Sequence, residues 1–376
     1  RLSSAGTHAW RSMDAMHDLQ PDAILAQFSL AGPILSWERY GNGHINDTLL
    51  VRCAGGDYVA QRLNRTVFSD GAAVMNNIAR VLWHLATTEP DASRRLSLIP
   101  TRGGQPWLVD HEGFFWRVYP FMGGTTTIER VTAPEQAYAA ACAFADFLAK
   151  LSDVPGEPLT TVIPAFHDTP DRLAKLAAAA RSNRCGRLSE VECEVTWALN
   201  QTQLAGVLIA ARTDGRLAET VTHNDTKVNN ILMAADGCTA KCVIDLDTLM
   251  PGLAIYDFAD LVRTASSRAA EDADPRDMVP ESEFLAALVE GWLSGRGDAA
   301  TTAERELMPI AGAVMTFECG IRFLTDYLQG DRYFRIKHPQ HNRDRARSQL
   351  ALARALLIRT ADISELVSRS SFLCSG

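Results

Sequence analysis

No stretch of 18 consecutive apolar residues occurs in this chain of 376, so no membrane span is expected. No Gly-Lys dipeptide occurs either, which excludes a Walker-type phosphate loop. The eight cysteines form no C-x-x-C pair and have no histidine at zinc spacing. Several fall inside expected helices or strands, as buried free thiols do, and point to a reducing, cytoplasmic setting. Positive charge is scarce as well: a net charge of −8 and an isoelectric point near 5.6 argue against a nucleic-acid face. Arg1 to Ser12 carry no pattern and no apolar stretch of the signal-peptide kind, and Met13 is the first methionine. Residues 1–20 are therefore expected to be a leader outside the fold. What the chain does have is apolar residues, 47% of the total, and enough length for two lobes rather than one core.

The most informative stretch is Thr222-His223-Asn224-Asp225-Thr226-Lys227-Val228-Asn229-Asn230, followed by Val243-Ile244-Asp245. It fits H-x-D-x-x-x-x-N. Kinase-type phosphoryl transfer needs these residue types: an Asp to accept the proton of the attacking hydroxyl and an Asn to hold a magnesium ion. A second Asp, arriving on a following strand, holds the metal that bridges the nucleotide phosphates. Ala234-Ala235-Asp236-Gly237 makes a hairpin turn, and Asp245 ends the apolar run Cys242-Val243-Ile244. Lys227, two residues after Asp225, is close enough to reach a transferred phosphate, and Asp247 is the next candidate for the metal. Each residue also has a plainer reading: Asp225 and Asn230 as turn-forming side chains, Asp245 as a cap. The combination of loop, Asn, turn, apolar strand and Asp favours a metal–phosphate site.

Upstream, Asp22 to Leu30 is expected to form a short helix capped by Asp22 and stopped by Gly32-Pro33. Ile34–Tyr40, Thr48–Cys53 and Tyr58–Leu63 read as strands. Between the first two, Gly41-Asn42-Gly43-His44-Ile45-Asn46-Asp47 is a turn whose glycines would let backbone approach phosphates. A kinase carries a Lys on the third strand, paired with a Glu on the next helix. Here the strand has Gln61-Arg62, and the helix from about Asp70 to Thr87 has no acidic residue after Asp70. Either Arg62 substitutes, or the nucleotide is held differently. Strands over 96–100, 106–109 and 114–120 would complete a mostly antiparallel sheet. Tyr119-Pro120-Phe121-Met122-Gly123-Gly124 then reads as a hinge against which an adenine could lie, or as a plain linker.

From the capping box Thr132-Ala133-Pro134-Glu135 the chain turns helical to about Leu151, and again over 170–182, 188–213, 281–295, 301–329 and 344–370. The stretch 219–248 is the strand-rich exception. The expected fold is α+β and bilobal, protein-kinase-like. A small antiparallel-sheet N-lobe (21–122) would bind nucleotide, and a larger, mostly helical C-lobe (123–376) would carry the catalytic loop and the acceptor-binding helices. Asp257, in Asp257-Phe258-Ala259-Asp260, is expected to cap its helix or brace the catalytic loop. Glu318, Arg322 and Asp326 share one helix face at i, i+4 and i+8. The plain reading is a salt-bridge ladder on a solvated face, for Glu318 above all; Arg322 and Asp326 could instead line an acceptor pocket.

These residues resemble the aminoglycoside phosphotransferase-like kinases and, within them, the N-acetylhexosamine 1-kinases. The resemblance rests on Tyr40-Gly41-Asn42-Gly43-His44-Ile45-Asn46, Phe166-His167-Asp168-Thr169-Pro170, the stretch from Val221 to Lys227, and Ile244-Asp245-Leu246-Asp247-Thr248. Met250-Pro251-Gly252 and Glu318-Cys319-Gly320-Ile321-Arg322-Phe323, running on to Asp326-Tyr327-Leu328, extend it. It covers about residues 34–350. It implies Asp225 as catalytic base with Lys227 beside it, Asn230 and Asp245 as metal ligands, and ATP and Mg2+ as cofactors. Gly41, Gly43, His44, Asn46, Gln61, Arg62, Tyr119, Phe121 and Met122 would surround the nucleotide. His223, Asn224, Arg322, Asp326 and Tyr333 would surround the acceptor. The implied reaction phosphorylates the anomeric hydroxyl of an N-acetylhexosamine, GlcNAc or GalNAc.

The partner is thus expected to be a small-molecule hydroxyl acceptor, with no nucleic acid and no membrane, and the protein a monomer or weak dimer. Two alternatives compete: a kinase of the same fold for an aminoglycoside, choline or homoserine, and a nucleotide-binding pseudokinase. Asp225, Asn230 and Asp245 occurring together oppose the second, because a binding module needs no base. Arg322 amid its acids suits a neutral sugar better than a polycation.

Overall fold

Alternating apolar residues build an antiparallel sheet from β1 (Ile34–Arg39), β2 (Asp47–Cys53), β3 (Gly56–Arg62), β4 (Leu108–Val109) and β5 (Phe115–Pro120), in the order β1-β2-β3-β5-β4. Leu49, Val51 and Cys53 of β2, Tyr58 and Ala60 of β3, and Trp116 and Val118 of β5 share one face. They bury there with Leu25 and Phe28, from the segment that opens with helix α1 (Pro21–Leu25). Truncating the fully buried Trp116 to Ala should cost about 3–5 kcal/mol. Because side chains alternate, Thr48, Gln61 and Arg117, which are cross-strand neighbours in register, stand together on the opposite face.

The computed structural model describes residues 21–41 and 45–373. The leader expected over 1–20 therefore lies outside the described residues, as do Asn42, Gly43 and His44 of the glycine-bearing turn. The sheet belongs to one unit of the chain, comprising residues up to Val67 and Leu98–Phe121; Phe68–Ser97 and everything from Met122 onward form the other. Asp22 lies inside the first turn of α1 and accepts a hydrogen bond from the Trp37 indole at 3.2 Å, so it is not the cap. The strand expected over 96–100 does not form. Ile99 N–H reaches the Val118 carbonyl at 2.8 Å, but the segment otherwise runs as loop.

In the second unit, helix α2 (Gly71–Thr88) is capped by the Asp70 carboxylate, which accepts from Ala73 N–H at 2.9 Å. Its buried Asn77 donates to the carbonyls of Thr160 at 2.7 Å and Leu249 at 2.9 Å, and so pins two loops to one helix. Further helices are α3 (Pro134–Lys150), α4 (Thr169–Ser182), α5 (Glu192–Leu199), α6 (Thr202–Thr213), α7 (Ala254–Ala265), α8 (Ser282–Arg296), α9 (Thr302–Gln329), α10 (His341–Ile358) and α11 (Thr360–Leu373). Short strands β6 (Thr125–Thr126), β7 (Thr220–Thr222), β8 (Ile231–Ala234), β9 (Ala240–Val243) and β10 (Met250–Gly252) form two small sheets, β6-β8-β9 and β10-β7.

Helices α3 and α8 cross so closely that a Cβ at Gly291 or Gly295 would strike the backbone carbonyls of Tyr138 and Cys142. The capping box foreseen at Thr132 is not made. Ala133 is the cap residue of α3, and Thr132 turns to Gln136 instead, its N–H at 2.8 Å and its hydroxyl at 3.1 Å from Oε1. A full capping box does occur at Thr301 and Glu304, opening α9. That helix has the length and apolar character of a membrane span, yet it is mostly buried within the protein and serves as its core helix. The single helices expected over 188–213 and 344–370 are each broken, at Asn200-Gln201 and at Arg359.

Candidate active site

The catalytic loop leaves β7 at Thr222 and is held from beneath by one carboxylate. Asp257, fully buried in the first turn of α7, accepts from His223 N–H at 2.8 Å and Asn224 N–H at 2.7 Å, while its carbonyl takes the Thr226 hydroxyl at 2.6 Å. Of the two expectations for Asp257, bracing the loop is the one observed. Burial pushes its carboxyl up to about 6, against the opposing pull of His223 and the two backbone N–H groups. Asn224 sits in the left-handed region at φ 64, which an Asn tolerates better than most residues. A Cβ at Gly252 would meet the Thr222 hydroxyl, so β10 can lie close against β7 only with glycine there.

Two residues expected at the acceptor have other work. His223 is fully buried: Nε2 meets the Ile244 carbonyl at 2.9 Å and Nδ1 accepts from Asp225 N–H at 3.3 Å, with the rings of Phe144 and Phe147 edge-on to it. Both ring nitrogens are thus committed to fixing the loop. The amide nitrogen of Asn224 donates to the carbonyls of Thr222 at 3.2 Å and Thr248 at 2.9 Å, and the residue is buried. Both residues expected at the acceptor thus brace the loop in this structure, with their side-chain donors turned to backbone carbonyls.

What the braces leave open is the acid–base pair. The Lys227 ammonium lies 2.9 Å from Asp225 Oδ1. Burial pushes the Asp225 carboxyl up, but Lys227 outweighs it and holds the acid below its ordinary value. In turn the Asp225 carboxylate raises the Lys227 ammonium, so both groups stay charged. Asn230 donates its amide to the Asp225 carbonyl at 2.8 Å and to Oδ2 at 3.2 Å. That orientation turns the Asn230 amide oxygen the other way, where a hard cation would take it.

Asp245 follows β9 in the left-handed region at φ 60. It is open to solvent on one side, yet the protein crowded around it, with the carboxylates of Asp247 and Asp225, pushes its acid up to about 6. Among the described residues no three His, Cys, Asp or Glu side chains converge as a self-sufficient metal cage. The oxygen donors on hand are Asn230, Asp245 and its neighbour Asp247.

A second patch lies on α9 and the start of α4. Glu318 is not on a solvated ladder; it is buried and accepts from the Thr169 hydroxyl at 2.6 Å, with His167 Nδ1 at 3.0 Å. Asp326 is buried too. Its carboxylate accepts from the backbone N–H groups of Arg332 (2.8 Å), Tyr333 (2.9 Å) and Phe334 (2.9 Å), and from the Asn342 amide (2.9 Å), fixing the loop that follows α9. The ladder fails because each acid finds buried donors of its own. Arg322 remains half-buried, its guanidinium 5.3 Å from the Phe166 ring and 5.6 Å from the Phe334 ring. Arg172, beside it, donates to the Phe166 carbonyl at 3.0 Å; burial and then Arg322 lower its affinity for a proton. Tyr333 is 57% exposed. The patch connects to the catalytic loop through the His167 ring, 5.0 Å from Tyr256, the residue before Asp257.

On the first unit's sheet, Gln61 donates to the Thr48 hydroxyl at 3.2 Å and accepts from Arg117 Nε at 3.0 Å and Nη2 at 2.8 Å. Arg62 points to the other face. It holds Asp47 Oδ2 through Nε at 2.9 Å and Nη2 at 2.6 Å and lies over the Phe114 ring, an ion pair at the end of the β2–β3 ladder. Arg117 was missed. The signal for it is in the alternation of Phe115-Trp116-Arg117-Val118: with Trp116 and Val118 in the core, a cation must occupy the far face. Gly41 takes φ +77, and Asn46 accepts from Asn64 N–H at 3.0 Å. Tyr119 is buried, Phe121 packs edge-on to Tyr40 at 5.8 Å, and the Met122 carbonyl accepts from Thr125 at 2.6 Å.

Sheet, braced loop and trailing Asp together define a phosphotransferase acting on the hydroxyl of a small molecule. The chain belongs to the APH phosphotransferase enzyme family, whose model matches residues 36–305. Its fold is shared with an aminoglycoside phosphotransferase from Alicyclobacillus acidocaldarius, at TM-score 0.60 and 15% identity over 93% of this chain and 97% of that one. A microcompartment-associated aminopropanol kinase gives TM-score 0.57 at 14% identity, covering 92% and 98%. A Plasmodium vivax ethanolamine kinase gives 0.53 at 12%, covering 89% and 85%.

Proposed function

We propose that the protein transfers the γ-phosphate of ATP to the anomeric hydroxyl of an N-acetylhexosamine, giving the sugar 1-phosphate and ADP. Asp225 accepts the proton of that hydroxyl, the sugar oxygen bonds to the γ-phosphorus, and the bond from that phosphorus to the bridging β-oxygen breaks as ADP leaves. Lys227 keeps Asp225 ionised and offers its ammonium to the phosphate in transit. Asn230 and Asp245 fit a magnesium ion: both offer hard oxygens, and the carboxylates gathered at 225, 245 and 247 make a negative field that a divalent cation relieves. When bound, magnesium neutralises the β- and γ-phosphate oxygens.

The observation that favours a neutral acceptor is the state of the patch on α9. Its two carboxylates, Glu318 and Asp326, are both engaged by buried donors, while the guanidinium groups of Arg322 and Arg172 flank Phe166. Such a patch repels a cationic amine and suits hydroxyls, an amide and an apolar sugar face. Arg322 and Tyr333 are the groups left to hold the ring, and Asp326 acts through the loop that carries Tyr333. Aminopropanol and ethanolamine, which two of the similar proteins are named for, are amines and would meet this charge unfavourably.

The test is an ADP-release assay across GlcNAc, GalNAc, other neutral sugars, aminoglycosides, ethanolamine and choline, with phosphorus NMR of the product. A sugar 1-phosphate from GlcNAc or GalNAc is the expected result. A 6-phosphate, or turnover with the amines alone, would replace this reading by another small-molecule kinase of the family.

A further inference from the structure

The geometry points to Asp260 and Arg263 of α7 as the pair that binds hydroxyls of the acceptor ring beside Asp225. The inference rests on the sugar-kinase reading above and names two residues within its acceptor site. Asp257, in the first turn of α7, takes the Thr226 hydroxyl on its carbonyl at 2.6 Å and so lays the helix along the catalytic loop. Residues three apart on a helix share a face. Asp260 therefore stands one turn further on, toward Lys227, and Arg263 one turn beyond it. Their charges are felt where that places them. The Lys227 ammonium is raised by Asp225 first and by Asp260 as well. Burial pushes the Asp225 carboxyl up, and Lys227, His223 and Arg263 pull it down. On the other side, a Cβ at Gly312 of α9 would strike the Val262 side chain, so α7 and α9 cross in contact next to Arg263. Burial pushes the Cys319 thiol of α9 up to about 11, against the pull of Arg263 and Arg322, which puts the pair within reach of the Arg322 patch too.

The pair is buried yet incomplete. Asp260 is 5% exposed and Arg263 8%. Arg263 Nε donates to Asp260 Oδ1 at 2.8 Å, and Nη1 donates to Glu271 Oε1 at 3.0 Å. Among the described residues no hydrogen bond reaches Asp260 Oδ2 or leaves Arg263 Nη2, and neither atom is sealed from solvent. Polar groups this deep are ordinarily satisfied, so an open acceptor beside an open donor marks a place for a partner. A sugar hydroxyl both donates and accepts, and two on neighbouring carbons meet such a pair at once. Bonds to a carboxylate and a guanidinium are also stronger than bonds between neutral groups. Arg345 lies 3.6 Å from Glu271, so two cations face two carboxylates and the cluster has no net charge with which to draw an amine.

The test measures KM in the full chain for ATP, for the preferred N-acetylhexosamine, and for its monodeoxy analogues, each lacking one hydroxyl. Wild-type protein should lose about tenfold in KM for at least one analogue. Asp260→Asn keeps the oxygen that Arg263 grips but turns the open one into an amide. It should raise the KM for the full sugar about 5- to 20-fold, leave the KM for ATP within about twofold, and cut the penalty for that analogue to about twofold. Should Asp260→Asn not fold, Arg263→Lys keeps a cation beside Asp260 while removing the fork, and it should show the same selective loss. A variant that raises the KM of the sugar and of every analogue by one common factor overturns the assignment, as does an unchanged sugar KM. So does a wild-type protein that treats every analogue like the parent sugar, a result that needs no variant. A wild-type protein that releases no ADP with either N-acetylhexosamine overturns the sugar reading itself, so the two failures are distinguishable.

Discussion

The catalytic loop and the patch on α9 use the same device to opposite ends. In the loop, His223, Asn224 and Asp257 turn their polar atoms inward and engage one another, leaving Asp225 and Lys227 as the reactive groups. On α9 the carboxylates of Glu318 and Asp326 turn inward, leaving a guanidinium and aromatic rings. Buried polar groups must be satisfied, and whichever members of a cluster meet that demand are lost to ligands. The chemistry of each region is therefore set by what remains after bracing, not by the residues present.

The comparison can be broken at its most reactive point first. Asp225→Asn should lower kcat about 10²- to 10⁴-fold, since it removes the positioned base, while added nucleotide should still raise the melting temperature. A variant that kept most of its kcat would take the base role away from Asp225.

Bracing residues should fail differently. Asp257→Ala strands two buried backbone N–H groups, at about 1–3 kcal/mol each, so activity and unfolding free energy should fall together in denaturant titrations. Asp326→Ala strands three part-buried backbone N–H groups and the Asn342 amide, at about 1 kcal/mol each, so it should likewise lose stability and raise the acceptor KM through its loop, with the nucleotide KM unchanged. A change in acceptor KM without any loss of stability would show Asp326 touching the acceptor itself.

Arg322→Ala sharpens the contrast on the other side. It should raise the acceptor KM about tenfold, as loss of one hydrogen bond to a hydroxyl does, and move stability by less than about 1 kcal/mol. Equal effects from Arg322→Ala and Asp326→Ala on both readouts would erase the division between bracing and binding.

The smallest effect concerns Asp245. Its acid is raised from 3.8 to about 6, so the native state disfavours the ionised form. That penalty is absent below about pH 4, grows as pH rises, and is complete above about pH 6. Because the residue is open to solvent, the effect is modest: Asp245→Asn should raise the metal-free melting temperature by about 1–3 °C near pH 7 and not at all near pH 4. The same variant should lose the extra stabilisation that magnesium adds to ATP.

The sequence alone determined the local patterns. Strand alternation predicted β1, β2, β3 and β5, and the apolar run before Asp245 with its turn predicted β8 and β9. The spacing of Asp225, Asn230 and Asp245 predicted their convergence, because a loop, a hairpin and a strand bring such residues together whatever surrounds them. Helix content was legible too, although the breaks at Asn200-Gln201 and Arg359 were not, since helix-forming residues flank both.

Only the tertiary structure decided which polar residues are engaged. His223 and Asn224 look like ligands in a linear motif and prove to be braces, because their partners Asp257, Ile244 and Thr248 arrive from other elements. Glu318 and Asp326 look like a ladder with Arg322 and instead find Thr169, His167 and the loop after α9. Arg117 and Arg62 stand on opposite faces of the sheet, the first held by Gln61 and the second by Asp47. A residue's hydrogen-bonding capacity is written in its type, but whether that capacity is still available depends on neighbours distant in sequence, and those exist only once the chain has folded.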